Sequence, residues 1–247
     1  MSRVAVVTGG ASGVGRAIAE RLAVAGHAVA VLDLDGAAAD AVAEGIGRDG
    51  GRAIACRVDV ADRASIEAAY EQIRTTLGPI EILVTSAAVS GFTRFQDITA
   101  DEWDRTLRVN LTGTFHCIQA AIRDMVAGRW GRIVTISSAA GQTASPRQAP
   151  YSASKGGVIA LTKTLAGEFG RKGITVNTVP PFTVDTPMLR HAQDAGYLPA
   201  TEAIQTMIPA GRLGTADDIA AVCAFLCSED ASYITGQVVA PNGGAVI

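Results

Sequence analysis

Short apolar runs alternate with alanine-rich helical segments along the chain, and this alternation constrains the fold more than any other feature. Apolar runs without polar interruptions are typical of strands that are buried on both faces of a parallel sheet. The runs lie at residues 4–7, 27–32, 80–84, 132–136 and 174–179, and the helical segments lie at residues 16–23, 63–77, 101–126, 152–171 and 216–226. We therefore predict an α/β fold: a doubly wound parallel sheet of about seven strands, flanked by helices.

Length and composition agree with one domain. A chain of 247 residues can bury a large core, and parallel α/β folds commonly reach this length without dividing. Hydrophobic residues make up 48% of the chain and charged residues only 18%, as expected when helices cover both faces of a sheet. No linker or low-complexity segment interrupts the pattern, so we expect a single domain over residues 1–247.

The first apolar run leads into a glycine-rich turn and then into a helical segment. Gly9, Gly13 and Gly15 allow a tight turn and the close approach of a ligand. Free N–H groups at the start of the helix favour a pyrophosphate. The glycine spacing differs from G-x-G-x-x-G, and many turns need glycine only for their backbone conformation, but the flanking strand and helix favour a Rossmann-like phosphate-binding turn.

An acidic residue ends the second predicted strand. Asp33 follows the last of these glycines by about eighteen residues, where a carboxylate can accept hydrogen bonds from both hydroxyls of an adenosine ribose. It would repel a 2′-phosphate, and neither Ser12 nor Leu34 offers a compensating positive charge. We infer NAD rather than NADP as the cofactor; the alternative is an aspartate that only forms a turn.

Tyr151 and Lys155 are four residues apart in a predicted helix, where side chains at this spacing share one face. A phenol has a pKa of about 10, but a nearby ammonium stabilises the phenolate and lowers that value. The pair therefore combines a proton donor with a group that activates it. Alone it is more typical of an exposed tyrosine and a solvated lysine, but Ser138 upstream and the glycine turn favour catalysis.

These motifs resemble those of the short-chain dehydrogenase/reductase family of the Tyr-x-x-x-Lys type, over essentially all 247 residues. The resemblance implies a catalytic tetrad of Asn110, Ser138, Tyr151 and Lys155. Ser138 would bind the substrate oxygen and Tyr151 would transfer the proton. Lys155 would bind the nicotinamide ribose and lower the Tyr151 pKa, and Asn110 would hold a water between Lys155 and solvent. The spacing of Tyr151 and Lys155 differs from that of the divergent enoyl-reductase branch.

The family's cofactor contacts can be carried over position by position. Asp59 and Val60 resemble its adenine-contacting pair, and Val184 and Thr186 its contacts to the nicotinamide carboxamide. The expected cofactor-binding residues are Gly9, Ser12, Gly13, Val14, Gly15, Asp33, Leu34, Asp59, Val60, Ser86, Ala87, Ala88, Tyr151, Lys155, Pro181, Val184 and Thr186.

Three segments depart from the family pattern. Thr85-Ser86-Ala87-Ala88 stands where Asn-Asn-Ala-Gly is usual, so amide side chains are lost and a methyl replaces a hydrogen. Pro181-Phe182 replaces Pro-Gly, which adds bulk near the expected nicotinamide, and Asn242-Gly243-Gly244 replaces Asp-Gly-Gly. We expect the first departure to affect cofactor affinity or sheet stability.

The segment at about residues 187–210 resembles the family's substrate lid. Together with Phe92, its apolar residues indicate a mainly apolar pocket, although packing between subunits would explain them equally well. The expected substrate-binding residues are Ser138, Gln148, Tyr151, Phe182 and Met188.

Charge and motif content argue against several other classes of protein. A formal net charge of −3 without basic clusters argues against nucleic-acid binding. The sequence contains no apolar run long enough to span a membrane and no signal-peptide pattern, so we expect a soluble, cytoplasmic protein. The four cysteines and three histidines lack metal-type spacing, so we expect no metal and assign Cys223 and Cys227 to the core. No G-x-S-x-G elbow surrounds Ser138, which argues against a hydrolase.

The leading hypothesis is an NAD-dependent oxidoreductase that interconverts a hydrophobic secondary alcohol and a ketone. One alternative is a 3-oxoacyl-thioester reductase acting on a carrier-protein or coenzyme A substrate, which Asp33 disfavours because such enzymes normally prefer NADPH. Another is a nucleotide-binding protein that has lost catalytic activity, and only the altered segment at residues 85–88 supports this alternative. The resemblance also implies a homotetramer, built from residues 101–126 and 152–171 and the carboxyl-terminal segment.

Overall fold

The computed structural model describes residues 2–246, so the first and last residues of the predicted 1–247 domain lie outside the described residues. Strands and helices alternate as predicted. The strands are β1 (Val4–Thr8), β2 (Ala28–Asp33), β3 (Arg52–Arg57), β4 (Ile82–Thr85), β5 (Gly131–Ile136) and β6 (Ile174–Val179). The helices are α1 (Gly13–Val24), α2 (Gly36–Arg48), α3 (Arg63–Thr76), α4 (Ala100–Leu107), α5 (Gly113–Gly128), α6 (Ala149–Phe169), α7 (Pro187–Asp194), α8 (Thr201–Gln205) and α9 (Ala216–Cys227).

All neighbouring strands pair in parallel, in the order β3-β2-β1-β4-β5-β6. The order reverses between β1 and β4, and in sheets of this kind a ligand binds beyond the carboxyl ends of the strands at the reversal. The prediction of about seven strands was wrong by one. The chain next to β6 forms a single bridge, between Thr178 and Val238, and leaves the sheet before a strand can form.

Both faces of the sheet are covered, as the apolar strand patterns predicted. Alternate residues of β1 point to opposite sides: Val7 packs with α1, α2 and α9, whereas Val6 packs with α3 and α5. Cys223 and Cys227 are buried in the hydrophobic core that contains Val7, as expected. Within residues 2–246, no helix combines the length and apolar character needed to cross a membrane.

The predicted helix at residues 101–126 is interrupted. A short π-helical turn over Arg108–Thr112 separates α4 from α5 and contains Asn110. Such turns often accompany functional sites, because the extra residue displaces backbone and side chain from the regular helical positions. The predicted helix at residues 152–171 begins earlier, at Ala149, so that Tyr151 lies in the first turn of α6.

Candidate active site

The glycine turn lies directly beyond the carboxyl end of β1. Gly9 has a φ of +65°, and a Cβ atom there would lie 2.8 Å from the backbone nitrogen of Ala87. A Cβ atom on Gly15 would collide with the carbonyl oxygen of Gly9. The Ser12 side chain does not cap α1, so the N–H groups around Val14 at the helix start stay open to an anion.

Asp33 lies beside this turn at the end of β2. Its carboxylate accepts hydrogen bonds from the backbone N–H of Ala11 at 3.0 Å and of Asp35 at 3.2 Å. The two contacts fix the carboxylate at the rim of the crevice, next to the exposed Leu34 side chain. The position matches that of a carboxylate that binds a ribose.

The other residues expected at the adenosine lie at the ends of the neighbouring strands. Asp59 is exposed and its carboxylate accepts the N–H of Ala61, whereas Val60 is buried against Gly113. The N–H groups of Ser86 and Ala87 donate to the hydroxyl of Thr8 at 3.2 and 3.3 Å. The altered segment at residues 85–88, which includes the partly exposed Ala88, is thereby tied to β1.

The chain beyond β6 faces the glycine turn from the other side. The Thr186 side chain lies 3.5 Å from the position of a Cβ atom on Gly13. Pro181 is buried and its carbonyl accepts the N–H of Ala139, while Val184 is buried and bridges to Gly214. The residues expected to contact the nicotinamide end therefore lie next to those expected to contact the pyrophosphate.

These features fit a dinucleotide. One crevice, at the strand-order reversal, contains three features: the space that the glycines leave open, the uncapped start of α1, and the carboxylate at the end of β2. Each provides the chemistry required by one part of the ligand: backbone approach, anion binding and hydroxyl binding.

Lys155 is buried beside Tyr151 on α6. Its side chain is 3% exposed, and its ammonium lies 5.7 Å from the centre of the Tyr151 ring. The ammonium donates a hydrogen bond to the carbonyl oxygen of Ile136 at 2.8 Å, which joins α6 to the end of β5. The structure thus brings the predicted pair together.

The protonation of this pair is controlled by burial. Burial lowers the pKa of Lys155 from 10.5 to about 8. Burial also raises the pKa of the Tyr151 phenol, and the nearby Ser138 hydroxyl opposes that rise. The predicted lowering of the Tyr151 pKa is therefore wrong for the chain by itself, because burial disfavours the charged phenolate and is the largest influence on this pKa.

Ser137 and Ser138 have different roles at the end of β5. The buried Ser137 hydroxyl donates to the carbonyl oxygen of Lys155 at 2.8 Å. Ser138 is partly exposed, and its hydroxyl accepts the N–H of Ala140 at 3.2 Å, which leaves its proton free for another acceptor. Of the two serines, Ser138 is the one that can donate to a substrate.

Asn110 is fully buried and makes specific contacts. Its Oδ1 atom accepts the N–H of Val89 at 2.8 Å, and its Nδ2 atom donates to the carbonyl oxygen of Val89 at 2.9 Å and to Ser154 Oγ at 3.1 Å. Sequence reasoning missed Ser154, although it lies inside the Tyr-x-x-x-Lys motif, because serine there is equally typical of an ordinary helix.

The expected substrate side is formed by three segments. Gln148 donates to Ser90 Oγ at 2.9 Å, and the Phe92 ring stacks on Tyr197 of the lid segment with ring centres 5.2 Å apart. Met188 is 49% exposed. Phe182 packs against the buried core of the lid, around Ile208, so it provides less open apolar surface than we expected.

Comparisons with known proteins support this assignment of the fold. A family model described as Enoyl-(Acyl carrier protein) reductase matches residues 9–246. The 3-oxoacyl-[acyl-carrier-protein] reductase FabG of Aquifex aeolicus is 40% identical over 243 residues, covering 98% of this chain and 96% of that protein. The D-threitol dehydrogenase of Mycolicibacterium smegmatis is 40% identical over 247 residues, covering 99% and 93%. The solved structure of gox2181 superposes with a TM-score of 0.94 at 34% identity, covering 99% of this chain and 95% of that chain.

Proposed function

Because this chain belongs to the short-chain dehydrogenase/reductase family of NAD(P)-dependent oxidoreductases, we propose that it interconverts a hydrophobic secondary alcohol and a ketone with NAD, using Tyr151 as acid and base. The observation that carries the proposal is the buried ammonium of Lys155 beside the Tyr151 phenol, next to Ser138 and at the carboxyl ends of the strands.

The residues of the chain have separate tasks in this reaction. When bound, the nicotinamide takes a hydride from the alcohol carbon or gives one to the carbonyl carbon. Ser138 donates a hydrogen bond to the substrate oxygen, and Tyr151 gives that oxygen a proton during reduction or removes it during oxidation. Lys155 supplies positive charge next to the phenolate that forms when Tyr151 gives up its proton, and it would also bind the nicotinamide ribose.

A preference for NAD over NADP rests on Asp33. The N–H groups of Ala11 and Asp35 hold the carboxylate at the crevice rim. Because its position is fixed there, its negative charge would repel the 2′-phosphate of NADP. Fluorescence titration with NADH and NADPH tests this preference. Tighter binding of NADPH would refute it.

A second candidate is the reduction of a 3-oxoacyl thioester. The similarity to the Aquifex aeolicus reductase supports it, whereas the similarity to D-threitol dehydrogenase, to the same identity, supports a dehydrogenase of small alcohols. Assays with a 3-oxoacyl thioester and with simple ketones, each with both cofactors, separate the two candidates.

The test of the mechanism is Tyr151→Phe, with Tyr233→Phe as its control. Tyr233 is fully exposed, so its variant removes the same hydroxyl away from the site. We expect Tyr151→Phe to lose at least about a hundredfold in kcat, in keeping with the loss of a general acid, and to keep NADH binding. Unchanged turnover in Tyr151→Phe would refute the mechanism.

Assembly and location also remain proposals. We propose a homotetramer in the cytoplasm, with a subunit contact that involves α4, α5 and α6. Partly exposed aromatic side chains on α4 and α5, Trp103 and Phe115, support such a contact. Sedimentation of the purified protein tests the subunit number.

A further inference from the structure

Two arginines, Arg129 and Arg147, are the non-glycine residues with positive φ within the described part of the chain. Arg129, at φ +51°, ends α5 in the left-handed conformation that helix ends commonly adopt, and its N–H donates to Val126. Arg147, at φ +69°, ends no helix. It lies four residues before Tyr151, in a turn that the hydrogen bond from the Gln148 N–H to the Ser145 carbonyl oxygen closes at 3.2 Å just before α6, so its positive φ belongs to this turn and not to a helix end.

The surroundings of Arg147 hold its backbone in place. Its carbonyl oxygen accepts the N–H of Thr93 at 2.9 Å, which joins this loop to the loop beyond β4. The next residue, Gln148, is bound to Ser90 on the same loop. Two adjacent residues are therefore fixed at the edge of the candidate substrate site.

The Arg147 side chain is exposed, but its guanidinium group lies beside a stacked pair of aromatic rings. Its guanidinium carbon lies 5.6 Å from the centre of the Tyr197 ring, and Tyr197 stacks on Phe92. An arginine in this position keeps its charge and its N–H donors available while the ring limits its movement.

No carboxylate in residues 2–246 forms an ion pair with Arg147. A carboxylate that lies near this loop, that of Glu102, accepts the Thr93 hydroxyl at 2.8 Å. The guanidinium is thus available to an external anion in a chain whose overall charge is negative.

We propose that Arg147 determines specificity by binding an anionic group, a carboxylate or phosphate, on the substrate whose carbonyl or hydroxyl group reacts at Ser138 and Tyr151. The Phe92 and Tyr197 rings border the anionic end and contact the apolar part of the substrate beside it. This inference rests on the proposed function and narrows its substrate class to acidic hydroxy and oxo compounds.

The test compares oxo acids with their methyl esters, over a range of chain lengths, in the wild type and in three variants. Arg147→Gly removes the charge and suits the left-handed backbone, so folding is retained. Arg147→Lys keeps a charge. Arg129→Gly is the matched control, because it removes the same residue type at another positive φ, just before the amino end of β5, whereas Arg147 lies beyond the carboxyl end of that strand.

We expect the wild type to prefer at least one acid to its ester in kcat/KM. Arg147→Gly should reduce that preference about tenfold, mainly through KM, as expected for loss of a charge-assisted hydrogen bond. Arg147→Lys should retain part of the preference, and Arg129→Gly should retain all of it.

Three results would overturn the inference. They are equal use of every acid and its ester by the wild type, an unchanged preference in Arg147→Gly, or an equal loss in Arg129→Gly. Phosphate-bearing oxo compounds form a second arm that identifies which anion is bound. If the wild type reduces neutral ketones in a Tyr151-dependent manner without preferring any anionic compound, only this inference fails; if it reduces no carbonyl compound, the proposed function fails as well.

Discussion

The Nδ2 atom of Asn110 lies 3.1 Å from Ser154 Oγ, and the same hydroxyl donates to the carbonyl oxygen of Tyr151 at 2.7 Å. Asn110 is bound in turn to the backbone of Val89, beyond the end of β4. A buried chain of hydrogen bonds therefore connects the loop beyond β4 to the first turn of α6, which contains Tyr151. We infer that Ser154 positions Tyr151 through this chain without facing the substrate.

We predict that Ser154→Ala lowers kcat several-fold and shifts its pH profile, with a small change in KM. The substitution removes one partner of the fully buried Asn110 amide and the side-chain contact to the Tyr151 carbonyl. Steady-state kinetics over a range of pH measure both effects. Ser154→Thr, which keeps a hydroxyl, should restore part of kcat.

The control for this prediction is Thr162→Val, further along the same helix. Thr162 and Thr135 share a buried hydrogen bond of 2.8 Å away from the site. Its loss should cost about 1 kcal/mol of unfolding free energy and leave the pH profile as in the wild type. If both variants changed kcat equally, Ser154 would have only a structural role.

Asp33→Asn should weaken the preference for NADH over NADPH about tenfold. An asparagine can still accept the N–H of Ala11, so the loop keeps its shape while the charge that repels a 2′-phosphate is lost. The matched control is Asp35→Asn, because Asp35 caps α2 through the N–H of Ala38 and asparagine caps equally well. Fluorescence titration of both variants measures the effect, and an equal change in Asp35→Asn would assign it to general electrostatics.

The sequence was sufficient to predict the features that depend on local pattern. Apolar runs located the strands it identified to within about two residues, and four-residue spacing placed Lys155 beside Tyr151, because both follow from the period of a strand or a helix. The expected seventh strand did not form, since pairing with β6 depends on how the chain returns after α9.

Other features depend on contacts between distant segments, and no local pattern carries them. The hydrogen bond from Asn110 to Ser154 joins residues 44 positions apart, and Tyr197 meets Phe92 from another loop. The direction of the Tyr151 pKa shift was missed for the same reason, because burial is a property of the whole fold.

The pKa of Lys155 predicts how stability depends on pH. In the folded protein Lys155 loses its proton near pH 8, whereas in the unfolded chain it keeps the proton to about 10.5. Between these values the unfolded state binds more protons, so raising the pH stabilises the folded wild type, by up to about 1.4 kcal/mol per pH unit.

Lys155→Met lacks this ionisation and serves as the reference. From about pH 8 to pH 9.5, the unfolding free energy of the wild type should rise relative to that of the variant, as measured by urea denaturation at each pH. Below pH 8 the difference should be constant. Parallel curves over the whole range would mean that burial does not lower the Lys155 pKa.

Thr8 and Thr85 are neighbours in register on β1 and β4, yet their hydroxyl groups differ in a way that predicts opposite effects of the same substitution. The Thr8 hydroxyl accepts the N–H groups of Ser86 and Ala87, whereas the buried Thr85 hydroxyl has no hydrogen-bond partner among residues 2–246.

Valine has nearly the same shape as threonine, so Thr85→Val should raise the unfolding free energy by about 1 kcal/mol, because it removes an unpaired buried polar group. Thr8→Val should lower it by about 1 to 3 kcal/mol and weaken NADH binding, because the Ala87 N–H loses its partner and the segment at residues 85–88 keeps only the backbone bond from Ser86 to the Thr8 carbonyl oxygen. Urea denaturation and NADH titration measure both variants, and a loss of stability in Thr85→Val would show that its hydroxyl is bound in solution.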